Sequence, residues 1–372
     1  MISTLLITLG VVFSPKVSYA ETFRHSDKFF QQKKSPSSLK IISLNVHNLY
    51  DSKHDRGYFD YTFLPKSHHN KKEKCQTVSS QYYRSLCLNL NWTSKKVDQK
   101  IEQILSGLKT TGSLPDILAV QEIENEKVLQ RFARKAGYKK FLITKQKSRR
   151  GIDVGLLWNS KKLKYIDHSE VAAPLRDPLR VELQVRSSGE SLFIYVNHWA
   201  AQTAPTHWRA ESAAQLREDI DDLLDHQPQA NIVVLGDFNV TRSEEREVFS
   251  ILTDRHWQGQ LFDTHKLSRR RYPSYAKKFP DGTYYSHFQQ AWDRLDRIFI
   301  NKNLLRGKTH ADIRSYRVVF TKFLVSTEKV KDPQTGTEQK IQFPSPYNFL
   351  ERRGSPLGVS DHLPVSIILQ TP

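Results

Sequence analysis

Eight polar residues stand at or beside the ends of apolar, strand-like runs: Asn45, Glu122, His198, Asp237, Asn239, Asp296, Asp361 and His362. Carboxylate and amide oxygens are hard ligands that suit Mg2+, Mn2+ or Ca2+ rather than zinc. Two histidines with aspartates to spare suit acid–base work, because a carboxylate on one ring nitrogen fixes the tautomer of the ring. The sequence has no Gly-rich phosphate loop, no Gly-x-Ser-x-Gly elbow and no His-Glu-x-x-His helix, so those chemistries have no motif here. The sharpest case is Asn231-Ile232-Val233-Val234-Leu235-Gly236-Asp237-Phe238-Asn239. Four apolar residues run into a glycine, then into a carboxylate and an amide two apart. Alone this is either a rigid holder for two oxygen ligands or an ordinary turn after a buried strand.

The elements needed to bring these residues together are legible as patterns. A strand pattern begins at 39–46. Thr93 can cap a helix whose apolar face is Val97, Ile101, Ile104, Leu105 and Leu108, with Gly112 and Pro115 breaking it. Residues 116–122 read as a second buried strand, followed by a helix over 125–136 that stops at Gly137. Strands over 152–158, 181–185 and 192–196 follow, the last ending in Asn197-His198-Trp199. A helix over 206–225 precedes the strand at 231, and another covers 244–252. A strand at 295–300, a hairpin from 318–325 and 340–343 with a polar tip at 332–336, and a last strand at 363–369 complete the pattern. Residues 48–92 and 321–358 read as surface excursions. No repeat or linker divides residues 39–370.

The chain has 372 residues, 38% hydrophobic and 26% charged, enough for a sizeable core and a polar surface. Its net charge of +18 fits acidic partners, whether nucleic acid, anionic lipid or polyphosphate. Residues 1–20 read as a secretory signal with cleavage after Ala20, too short an apolar run to span a bilayer. This places the mature chain in a secreted or periplasmic setting. Residues 21–38 read as a flexible lead-in. The two cysteines, Cys75 and Cys87, favour a disulfide in an exported chain, with two free thiols as the alternative. The Asp- and His-rich stretch 51–69 could hold a second, structural ion such as Ca2+.

The motifs Leu44-Asn45-Val46-His47-Asn48, Val120-Gln121-Glu122, Gly151-Ile152-Asp153-Val154, Val196-Asn197-His198-Trp199, Gly236-Asp237-Phe238-Asn239, Leu295-Asp296-Arg297-Ile298 and Ser360-Asp361-His362 occur in one order. Together they resemble the endonuclease/exonuclease/phosphatase superfamily with the deoxyribonuclease I-like fold, over residues 39–370, and in particular its exported bacterial members. That resemblance implies an α+β fold: a four-layer α/β/β/α sandwich of two mostly antiparallel β-sheets flanked by helices. It also implies roles. Glu122 would be the principal metal carboxylate, with Asn45 and Asp361 completing the metal environment. Asp237 and Asn239 would hold the attacking water. His362 oriented by Asp296, and His198 paired with Asp153, would contact phosphate oxygens and move protons. Arg176 and Asn197 would contact substrate. His47 departs from the pattern, since many members carry an acidic residue there; a tight two-metal site is not expected.

The superfamily holds several activities, so substrate must come from this chain's own residues. The block 269–279 contains three Arg, two Lys, two Tyr and one Phe, Arg271 and Tyr272 among them. Cations bind phosphates and aromatics stack bases. The expectation is a Mg2+- or Mn2+-dependent nuclease of low sequence preference, monomeric and without membrane insertion. A sphingomyelinase-like or other phosphoesterase is the alternative within the class. An inactive binding protein on the same fold is the alternative outside it.

Overall fold

The strand Asn231–Asp237 is buried on both faces, and covering those faces organises the molecule. Val233 and Leu235 enter a core shared by two sheets, whereas Ile232 and Val234 enter a second core beneath helices. Alternate residues of a strand face opposite sides, so an unbroken apolar run needs cover on both. Each fully buried aliphatic side chain contributes about 1.5–3 kcal/mol relative to exposure. The computed structural model describes residues 27–372 apart from 33–34, 36, 146–149, 332–337 and 353. The signal-like segment 1–20 and the polar tip 332–336 lie outside the described residues.

In chain order the elements begin with β1 (Ser38–Leu49), α1 (Lys71–Gln76), α2 (Gln81–Asn89), α3 (Ser94–Lys109), β2 (Ile117–Ile123), α4 (Glu126–Ala136), β3 (Lys140–Ile143) and β4 (Asp153–Trp158). Then come β5 (Leu163–Glu170), β6 (Leu179–Val185), β7 (Ser191–His198), α5 (Thr206–His226), β8 (Asn231–Asp237), α6 (Glu245–Thr253), β9 (Leu261–Asp263), α7 (Thr264–Arg271) and α8 (Pro273–Ala276). The chain ends with β10 (Tyr284–Ser286), β11 (Ala291–Asp293), β12 (Asp296–Asn301), α9 (Asn303–Arg306), β13 (His310–Val318), β14 (Val325–Lys331), β15 (Glu338–Pro344) and β16 (Val365–Gln370).

Two six-stranded sheets run in the orders β13-β16-β1-β2-β4-β3 and β5-β6-β7-β8-β12-β9. Among the described strands of these sheets only β1–β2 and β7–β8 pair in parallel; the other neighbours are antiparallel. This topology gathers the polar residues. The parallel pairs deliver their carboxyl ends to one edge, with His198 opposite Asp237. The antiparallel strands deliver their starts to that edge, with Asp296 opposite Asp237 and Asp153 opposite Ile123. The sheets pack face to face, α3 and α4 cover the first, and α5 and α6 cover the second. Thr93 Oγ1 caps α3 by accepting from Lys96 N, and Asn125 Oδ1 caps α4 by accepting from Val128 N.

Three features differ from the pattern reading. Part of the lead-in is docked: Phe30 is buried, and Gln32 bonds Thr111 and Ser366. Residue 318 ends β13, so the later hairpin is β14 with β15 alone. The block 269–276, to which the pattern reading assigns no element, falls in α7 and α8, which break at Tyr272. In the first excursion, Cys75 and Cys87 form a disulfide joining α1 to α2, buried against Tyr61 and Leu64.

Candidate active site

Backbone geometry marks the shared sheet edge. Six non-glycine residues among those described have positive φ, and four stand here: His47 (56°), Asn48 (62°), Glu122 (65°) and Asn239 (51°). Such conformations are costly and persist where surroundings enforce them. Gly236 has φ 137°, and a Cβ there would lie 2.0 Å from the Asn197 carbonyl oxygen. No other residue fits, which explains the glycine just before Asp237.

Asp237 is the hub. Asn45 Nδ2 donates to its Oδ2 at 3.0 Å, the Asn239 amide N–H donates to Oδ1 at 2.9 Å, and Asn239 Nδ2 lies 3.3 Å from Oδ2. Nε2 of His198 and of His362 approach Oδ2 at 3.7 and 3.9 Å. His362 Nδ1 bonds Asp296 Oδ2 at 2.7 Å, so the ring is oriented by the expected partner. Ser360 Oγ donates to the Asn45 carbonyl at 2.6 Å and accepts from His362 N at 3.1 Å, tying the end of β1 to the approach of β16.

The two imidazoles are polarised oppositely. Burial alone would lower the His362 pKa, but Asp296, Asp237 and Asp361 hold it well above the usual range. Burial, with Arg176, Arg150 and His362 adding to it, pushes His198 well below that range. His362 is therefore an imidazolium and His198 a neutral imidazole at neutral pH. Burial lifts Asp237 to about 6, with Asp296 raising it and His362, Asn239 and Asn45 opposing. Burial would also raise Asp361, yet His47, His362 and Lys100 bring it below its ordinary value.

Two expectations need correction. Among the described residues His198 Nδ1 has no hydrogen-bond partner, and Asp153 instead accepts from Thr144 Oγ1 at 2.8 Å. Asp153 opens β4 and turns toward the end of β3, and burial raises its pKa to about 7. Asn197 does not offer its amide to a substrate. It is fully buried, donates to the carbonyls of Tyr195 and Leu235, and accepts from Trp199 Nε1 at 2.9 Å. Arg176 lies under the site, with Nη1 on the Trp199 carbonyl at 3.1 Å and a buried Nε without a partner among the described residues. Arg271 and Tyr272 end α7, exposed, where that helix packs on β13, away from the strand-end cluster.

Pattern reading missed three residues. Arg150 puts Nη2 3.7 Å from Glu122 Oε2 and bonds Asn48; it directly precedes the Gly151 motif, the one sequence signal for it. Lys100 is buried, donates to the His47 carbonyl and lies over the rings of Tyr347 and Phe349. Burial brings its pKa to about 7, against Asp361 and Glu122. Its place between Val97 and Ile101 on the apolar face of α3 was the available signal. Tyr284 stands 5.3 Å from His362, ring to ring.

The donor set fits a hard divalent cation. Among the described residues Glu122 Oε2 is buried without a hydrogen-bond partner, and Asp237 and Asp296 bring carboxylate oxygens within 4.8 Å of each other and of the His362 ring, whose protonated form orients them rather than ligating a metal. Asp296 Oδ2 is bonded to His362 Nδ1, whereas Asp296 Oδ1, like Glu122 Oε2, is buried without a hydrogen-bond partner among the described residues, and Arg150 Nη2 stands 3.7 Å from Glu122 Oε2. His47 Nε2 lies 3.9 Å from Asp361, and burial lowers its pKa, so it adds no anion. The carboxylates of the 51–69 stretch are engaged by the protein. Asp60 takes His54 and the Asp55 amide, while Asp51, Asp55 and Glu124 take the Asn125 side chain.

Two sheets in face-to-face contact, with paired imidazoles around a carboxylate at one edge, define a phosphoesterase-type α/β sandwich. The chain belongs to the endonuclease/exonuclease/phosphatase family, whose model matches residues 40–371. Members of this family are metal-dependent phosphoesterases. None of the curated proteins compared with it matches significantly. Among solved structures, it is similar to an endonuclease/exonuclease/phosphatase family protein from Bacteroides thetaiotaomicron (14% identity, TM-score 0.51, covering 91% of this chain and 100% of that one). A mannosyl-6-phosphatase from the same species gives 14% identity and TM-score 0.51, covering 89% and 99%. TDP2 from C. elegans gives 12% and 0.52, covering 91% and 77%. At these identities the likeness is one of fold.

Proposed function

We propose that this chain is a secreted or periplasmic nuclease of low sequence preference that hydrolyses phosphodiesters in DNA, with RNA as a second candidate substrate. The observation that carries the reading is the pairing of an imidazolium with a neutral imidazole about Asp237, beside a buried carboxylate oxygen without a hydrogen-bond partner. Hydrolysis places charge on non-bridging oxygens and on the leaving alkoxide, and such a site stabilises both. Glu122, Asn45 and Asp361 would hold Mg2+ or Mn2+, which when bound neutralises charge on the phosphoryl group. Asp237, fixed by Asn45 and Asn239, orients the attacking water and takes its proton. His362 holds a proton at Nε2 toward the phosphate. His198 offers a neutral Nε2 to the same group. Arg176 adds positive charge beneath the phosphate.

The net charge of +18 supports a polyanionic substrate over a small neutral one. Export rests on residues 1–20 and on the Cys75–Cys87 bond, since disulfides persist in oxidising compartments. Purified protein should degrade plasmid only with added divalent metal. Sphingomyelin cleavage with nucleic acid untouched would move the assignment to the lipid phosphoesterases. Activity on no phosphoester would leave a binding protein. Secreted protein whose first residue is Glu21 would support the processing site.

A further inference from the structure

The β10–β11 hairpin is built into the wall of the site. Tyr284 bridges His362 in antiparallel pairing. Leu363 N donates to the Thr283 carbonyl at 2.8 Å, and Asp296 N donates to Thr283 Oγ1 at 3.1 Å. The hairpin base is thus bolted to both members of the Asp296–His362 pair. Its other face is packed: the Tyr285 ring is 5.5 Å from Trp292, and the His287 ring is 4.6 Å from Phe343 of β15. The support is aromatic and the register fixed, so the tip is held rather than loose.

At that tip stands Phe288, 97% exposed, the most exposed large apolar side chain among the described residues. It lies four residues beyond Tyr284, at most about 13 Å along an extended strand. A polynucleotide spans that reach in a few nucleotides. Its neighbours are His287, Gln289 and Gln290, all polar. A tip that enters a bilayer presents several apolar side chains together; a single ring among amides matches a flat, hydrogen-bonding partner. We infer that Phe288 is a stacking platform for an unpaired nucleobase flanking the scissile phosphate, and that the hairpin holds the strand in register with the site. This rests on the nuclease reading above.

The test uses the full chain, with a labelled single-stranded oligodeoxynucleotide and with bis(p-nitrophenyl) phosphate, which is too small to reach the tip. Stacking on one base implies that Phe288→Ala raises KM for the oligonucleotide about 5- to 100-fold. Turnover of the small diester should stay unchanged, and Phe288→Trp should restore KM. Trp257→Ala is the control: that ring is also exposed, but sits beside the carboxyl end of α5, at the opposite end of the sheet. Oligonucleotide cleavage with equal KM in wild type and Phe288→Ala would overturn the inference and leave the nuclease reading intact. Equal losses on both substrates would also overturn it, by showing a structural role. So would loss of binding to sphingomyelin vesicles in Phe288→Ala with oligonucleotide KM unchanged. A wild-type protein that cleaves no oligonucleotide would remove the nuclease reading and this inference together.

Discussion

His362 and His198 are both buried and both face Asp237, yet their surroundings drive them apart. Three carboxylates surround His362; two arginines and the first imidazolium surround His198. The pH profile should report this. Asp237 must be ionised to take a proton, so kcat/KM should fall on the acid side near its value of about 6. The alkaline limb should lie well above neutral, where His362 finally deprotonates. Asp296→Asn removes the anion bonded to that ring, so the alkaline limb should move to lower pH, read from kcat/KM against pH. An unmoved limb would detach His362 from the reaction. The residue types at the site were legible because each ends an apolar run. Their partners were not: Asp153 turning to Thr144, Asn197 turning inward and Lys100 lying behind His47 depend on which strands and loops meet, and no local spacing encodes that.

Elements place these residues with little slack. Local signals located them well: Thr93 caps its helix as read, β8 matches its apolar run, and the next helix starts one residue later than read, with Asn125 as its cap. The helical form of 264–271 was hidden by a run of arginines without a continuous apolar stripe, yet Leu267 and Thr264 are buried. The β7–β8 approach at Gly236 leaves no room for a Cβ. Gly236→Ala should cost about 2–4 kcal/mol, combining left-handed strain with overpacking, and urea denaturation should show it. Activity should fall further, because the substitution pushes Asp237 away from His198. In the first excursion, the disulfide closes a sequence separation of 12 residues. Cys75→Ala with Cys87→Ala should lower stability by about 2–3 kcal/mol. A denaturation midpoint unaffected by reducing agent would contradict that.

For the whole molecule, topology explains why one edge collects the chemistry. Two parallel pairs and antiparallel neighbours bring strand ends and strand starts to one side, where loops vary without disturbing either core. The fold class was legible because seven short motifs keep one order; the excursions were not, because they follow no shared period. Net charge belongs to this scale too. If contact with DNA is mainly electrostatic, affinity should drop at least about 10-fold between 50 and 200 mM salt. A flat response in a filter-binding or fluorescence titration would remove the basic surface as the contact.

The most direct measurement is plasmid degradation by the purified protein across Mg2+, Mn2+ and chelator, alongside His198→Ala and Asp237→Ala. We expect cleavage that requires the metal, stops with chelator and falls by about 100-fold or more in each variant. Intact DNA and RNA under every metal, with a lipid or sugar phosphoester consumed instead, would contradict the account.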